Sequence, residues 1–270
     1  MSTRFYIIYA TFTCILILTS WVAYSAACNY ERQTQKFTDR LKAEDKIVTV
    51  LKQITEGISF GKYTGHSEEK QQLEAILKQR QYYKQLSIIA TISFFIIMLA
   101  FLGFTYKTNV FLPTMLMISL IALLVGLFAP ILMMVAYQEV PVFGKVIFMF
   151  QSKGIISTIE SLWKSDNLFV ALPLIIFSVV IPILKTLLMG IAFIQPLAAK
   201  SIEIIKPLGK WSMADVFVVA LLLTYFTTNQ DNSTHAEVQI GLYFFIIYVI
   251  LSMIVALLIA GSDKGLKYTM

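Results

Sequence analysis

Residues 169–194 read FVALPLIIFSVVIPILKTLLMGIAFI, an apolar stretch whose one charge is Lys185. An α-helix needs about 20 apolar residues to cross the hydrocarbon core of a bilayer. A run this long and this apolar specifies a membrane span, and that decides the class of the whole chain. Of the 270 residues, 57% are hydrophobic and 14% charged, and the mean hydropathy is +0.74. Soluble domains carry roughly 25% charged residues. The net charge of +6 is not a nucleic-acid footprint. Its lysines and arginines are dispersed among acids or flank apolar runs, where they set topology. Cys14 and Cys28 lack CxxC spacing, so no metal centre, cofactor or disulfide framework is expected.

Six stretches are read as spans: Tyr6–Ala27, Leu86–Tyr106, Phe111–Tyr137, Phe169–Ile194, Met213–Thr228 and Ile240–Ala260. The fifth is short and polar at both ends. The first is preceded by Arg4, and Ser25-Ala26-Ala27-Cys28 faintly resembles a cleavage site. Its apolar run exceeds the roughly 7–15 residues of a signal-peptide core, so a retained span is expected. Lys200, Lys206 and Lys210 precede the fifth span, and Lys264 and Lys267 follow the sixth; residues 229–239 hold no Lys or Arg. That contrast predicts a cytoplasmic C-terminus and, with six spans, a cytoplasmic N-terminus. Residues 29–85 then lie outside. They are Lys-rich, but they also hold eight acids, and long segments cross with little regard to charge.

The segment 29–85 is predicted to form two helices around a turn marked by Gly57, Gly61 and Gly65. Phe37, Leu41, Val48, Leu51 and Ile54 recur at near-helical spacing before it, and Leu73, Ile76, Leu77 and Arg80 follow it. Between the third and fourth spans, Val146, Phe148 and Phe150 alternate and Ile155, Ile156 and Ile159 follow Gly154. Short strands, or a strand and an amphipathic helix, fit this pattern. Trp163 and Trp211 are placed as interfacial aromatics. The expected architecture is an all-α membrane protein with six transmembrane helices. An N-terminal hairpin, 1–107, has extended extracytoplasmic helices; a four-helix module, 108–270, has a small extracytoplasmic loop with room for β-structure.

The chemistry concentrates on the fourth span. Ser178 and Lys185 are seven apart, two turns, and share a face. Pro182 lacks the N–H that would pair the Ser178 carbonyl, and its ring favours a kink. Lys185 falls in the inner half of the bilayer. Asp215, about one turn inside the fifth span, is placed to meet it there, and Ser252 is a polar residue near the middle of the sixth span. Ionisable residues within spans are costly and mark functional sites by default. Two structural readings stay open. Ser212 and Asp215 match a helix-start capping box, and the Lys185 stem is long enough to snorkel to the headgroups. The functional reading is favoured for Lys185. His66 and His235 are read as solvated loop residues, and no Walker loop, GxSxG or HExxH motif is present, so an enzyme is not expected.

The string Leu208-Gly209-Lys210-Trp211-Ser212-Met213-Ala214-Asp215-Val216-Phe217 resembles the signature of the paraquat-inducible protein A family. So do Ile155–Trp163 and Ser178-Val179-Val180-Ile181-Pro182-Ile183-Leu184-Lys185. The likeness covers about Val110 to Ala260, one four-helix module. It implies a bacterial inner-membrane protein that loads or extracts lipid, with coupling to protons one option it leaves open, and that works beside MCE-type proteins of the Gram-negative envelope. A polar network of Ser178, Lys185, Ser212 and Asp215 is implied, with Ser252 a looser match. The chain departs from the family in having one module and no cysteine ribbon. The expected partners are membrane lipid, an extracytoplasmic protein and a second copy of the chain. A proton or small-ion transporter and a scaffold that recruits its partner through 29–85 are the alternatives.

Overall fold

The computed structural model describes residues 3–40, 65–140, 144–166, 168–194 and 234–266. Two long helices, α1 (Thr3–Arg40) and α2 (Gly65–Thr105), form an antiparallel hairpin. At about 1.5 Å per residue each runs for nearly 60 Å, about twice the hydrocarbon core. The expected spans therefore continue without interruption into the helices beyond them. Aromatic pairs zip the hairpin together at the Phe5 end: Phe5 stacks on Phe104 with ring centroids 5.3 Å apart, and Phe12 on Phe101 at 5.2 Å. Leu41, Val48, Leu51, Ile54, Gly57 and Gly61 lie outside the described residues.

The third helix, α3 (Phe111–Phe128), is followed by strands β1 (Leu132–Val140) and β2 (Gly144–Lys153) and by helix α4 (Ile155–Lys164). This corrects the expected span Phe111–Tyr137. The helix stops short of Pro130, which has no N–H to continue it, and the apolar residues after it belong to a sheet. The fourth span comprises α5 (Leu168–Ile175), a π turn (Ile176–Val180) and α6 (Ile181–Ile194). Strand β3 (Thr234–Val238) leads into the last helix, α7 (Ile240–Leu266).

The three strands make an antiparallel sheet in the order β2-β1-β3. Leu132 pairs with Lys153 on one side and with Val238 on the other. Two expectations about histidines are corrected here. His235 lies in β3, recruited by the free side of β1, and His66 lies in the first turn of α2, where Ser67-Glu68-Glu69 favours a helix start.

Five helices among the described residues are long and apolar enough to cross a membrane, and the expected fifth span, Met213–Thr228, lies outside those residues. The sheet caps one end of the helices. The N–H of Gly241 donates to the Pro130 carbonyl at 3.0 Å and that of Gln239 to the Ile131 carbonyl at 2.8 Å, tying the end of α3 to the start of α7. Along their length those two helices pack face to face: Ile118, Ala122 and Leu123 of α3 and Phe245, Tyr248 and Val249 of α7 are buried in one core. The hairpin touches α3 and α7, and α1 also reaches β2. Phe94 of α2 packs on Phe244 of α7 with centroids 4.9 Å apart.

Candidate functional site

The fourth span does not run as one α-helix. At Ile176–Val180 it widens into a π turn, in which the Ile181 N–H donates to the Ile176 carbonyl five residues back. Pro182 follows directly. In an α-helix its ring would collide with the carbonyl of Ser178, four residues earlier. The wide turn lies at that point, so the expected kink takes this form. Single π turns inside helices occur often at functional sites.

Below the turn, Lys185 points into the protein. It is 1% exposed, and its ammonium donates to the Ser252 hydroxyl on α7 at 3.1 Å. Ser252, also 1% exposed, donates in turn to the Val249 carbonyl at 3.0 Å. The sequence pattern gives Ser252 the loosest place in the constellation; in the structure it is a direct partner of the lysine. The snorkelling reading of Lys185 does not fit this burial.

Ser178 is fully buried in the π turn, on the inward side as its spacing predicted. Its hydroxyl has no hydrogen-bond partner among the described residues. A buried hydroxyl left unpaired costs about 1–3 kcal/mol, a cost that an alanine filling the same space would not carry. Trp211, Ser212 and Asp215 lie outside the described residues.

Two residues that the sequence pattern did not single out join the site. Tyr248, fully buried on α7, donates its phenolic hydroxyl to the Pro182 carbonyl at 3.2 Å, and the Thr186 hydroxyl donates to the same carbonyl at 2.9 Å. Tyr248 was legible in one respect: it stands four before Ser252 and so shares its face. Among the described residues there is no group of three His, Cys, Asp or Glu able to hold a metal.

A second polar cluster ties the hairpin to the sheet. Arg80 donates from Nε to the Thr34 hydroxyl at 3.0 Å and from Nη2 to the Tyr30 hydroxyl at 3.2 Å, and its guanidinium lies 5.4 Å from the centre of the Tyr30 ring. Tyr30 donates onward to the Glu237 carboxylate at 3.0 Å, and Lys84 pairs with the same carboxylate at 3.4 Å. Residue 30, residues 80 and 84, and residue 237 therefore meet where the hairpin passes the sheet, on the same side of the helical spans. On that side α4 carries the interfacial candidate Trp163, 61% exposed. Beside it, the Lys164 ammonium bonds to Glu160 at 2.6 Å and holds that carboxyl below the usual range.

The sequence profile of the paraquat-inducible protein A family matches residues 112–261, from the second residue of α3 into α7. No curated protein and no solved structure is significantly similar to the chain. The match takes in more than half of the sequence and spans the π turn, Lys185 and Ser252: the chain is a multi-pass membrane protein of the paraquat-inducible protein A family.

Proposed function

We propose that the protein is a component of envelope lipid transport in the inner membrane of a Gram-negative bacterium, with cytoplasmic termini and the sheet on the outer side. It is not an enzyme in this reading. The four-helix module 108–270 binds or moves lipid, and a Lys/Asp/Ser polar network inside it changes protonation or pairing as the module opens and closes. The observation that carries the reading is the burial of Lys185 against Ser252 between two membrane helices. A lysine in that position is expensive, and a simple anchor has no use for it. Family membership supports the lipid context. The basic residues at 200, 206 and 210, against none between 229 and 239, support the orientation.

The test is complementation of a lipid-homeostasis or detergent-sensitivity phenotype. Lys185→Ala and Asp215→Ala are expected to lose function while the protein still inserts. Full activity of the Lys185 variant ends this reading. A scaffold role is the second reading, favoured by the Arg80–Tyr30–Glu237 cluster, which couples the projecting hairpin to the sheet. A partner outside the membrane, of MCE type or a second copy of the chain, then docks on residues 29–85. Deleting the projecting part of the hairpin separates the two, because a scaffold fails and an autonomous transporter survives.

A further inference from the structure

Two polar rungs, one helical turn apart, join α6 to α7. One is Lys185 to Ser252 at 3.1 Å, and the other is Tyr248 to the Pro182 carbonyl at 3.2 Å. Tyr248 and Ser252 are four apart on α7, and Pro182 and Lys185 are three apart on α6, so each pair lies on one face of its helix. All four residues are buried.

The π turn gives the Tyr248 rung its importance. A π turn adds about one residue to a helical turn. A one-residue change of register below it rotates the helix by about 100°, enough to carry Lys185 away from Ser252. The rotation of α6 must therefore be held by something beneath the turn. Among the described residues the Pro182 carbonyl is the first peptide group of α6 with side-chain donors on it, and the donor that comes from another helix is the Tyr248 phenol. Buried tyrosines direct their hydroxyl to a partner; this one reaches a backbone atom three residues from the lysine.

We infer that Tyr248 is the positioning residue of Lys185: through the Pro182 carbonyl it holds the register in which the π turn delivers the ammonium to Ser252. This rests on the reading of Lys185 as the working group of the module. Tyr248 itself need not touch the transported molecule.

The experiment uses the full-length protein in detergent micelles, with complementation in parallel. Tyr248→Phe removes the hydroxyl and keeps the ring. Acylation of Lys185 by a small amine-reactive ester is followed by peptide mass spectrometry, with the exposed Lys164 as the internal reference. In Tyr248→Phe the Lys185 rate is expected to rise about three- to tenfold, the equivalent of one lost hydrogen bond. Ser252→Ala is the positive control for a released lysine. Placing para-aminophenylalanine at position 248 restores a donor and is expected to return the rate toward that of the natural protein. A packing role alone would not separate these two aromatic side chains. An unchanged rate in Tyr248→Phe, or a raised rate that the amino analogue does not lower, overturns the positioning role. A raised and rescued rate with complementation intact upholds it and overturns the transport reading of Lys185.

Discussion

Lys185 on α6 donates to Ser252 on α7 across 3.1 Å, and each side chain is 1% exposed. The pair is buried between two membrane helices, so a change of charge or separation there acts strongly on how α6 and α7 fit together. Breaking a buried charge interaction by removing one partner is costly, whereas replacing all its members together by apolar side chains of similar volume is often neutral or stabilising. Ser252→Ala is expected to lower stability by about 1–3 kcal/mol. Lys185→Met keeps the length and apolar stem of the side chain; it is expected to insert and fold and yet fail in complementation. Thermal unfolding in detergent, read beside the complementation assay, checks both; a Lys185→Met protein that works normally would show that the lysine is ornamental.

Ser178 makes a separate prediction, because its hydroxyl is buried and without a partner among the described residues. Ser178→Ala removes a desolvated polar atom and keeps the π turn's backbone. It is expected to leave stability unchanged or raise it by about 1 kcal/mol. If the hydroxyl serves transport, the same variant loses activity, the trade found where a strained site is kept for function. A clear loss of stability would mean that the hydroxyl has a structural partner after all.

Where the hairpin meets the sheet the contributions should be unequal. Lys84 and Glu237 are each nearly half exposed, and such pairs contribute about 0–1 kcal/mol. Lys84→Ala is therefore expected to be nearly silent. Arg80 is different, since its planar fork bonds to Thr34 and Tyr30 at once. Lysine cannot reproduce that geometry, and Arg80→Lys should cost about 1–2 kcal/mol. A double-mutant cycle of Tyr30→Phe and Glu237→Gln is expected to show a coupling of about 0.5–1.5 kcal/mol. Coupling near zero would mean that hairpin and sheet are neighbours without being joined.

Most of the membrane helices could be read from hydropathy, because length and apolarity are what the bilayer demands. The error at Ile131–Tyr137 has a physical cause. A short apolar run looks the same whether it fills a helix or a strand, and only Pro130 marks the change. The sheet depends on β3, whose five residues carry little signal of their own and become a strand by pairing with β1. In the site, Lys185 was plain because a charge in a span is rare. Tyr248 was not, since a tyrosine inside an apolar run carries no charge to set it apart from its neighbours. Its value comes from the carbonyl it meets on another helix, and the same holds for Tyr30, Arg80 and Glu237, which are far apart in the chain.

The last prediction concerns glycines that set the spacing on which the Lys185 pair depends. A methyl group at Gly126 would lie 2.9 Å from the backbone nitrogen of Phe245, and one at Gly241 would lie 2.6 Å from the Pro130 carbonyl oxygen. Both obstacles are backbone, so they cannot turn aside as a side chain does. Gly126→Ala must push α3 and α7 apart, and Gly241→Ala must loosen the join where the Gly241 and Gln239 N–H groups meet the end of α3. Overpacking of this kind costs about 1–3 kcal/mol. Gly103 supplies the control, because a methyl there meets nothing within 4 Å, and Gly103→Ala on α2 should be neutral or stabilise by up to about 1 kcal/mol. Since α7 also carries Ser252, Gly126→Ala is expected to speed acylation of Lys185 as well as lower the unfolding temperature. Gly103→Ala should change neither downward, and equal stability of the two alanine variants would refute the close approach of α3 and α7.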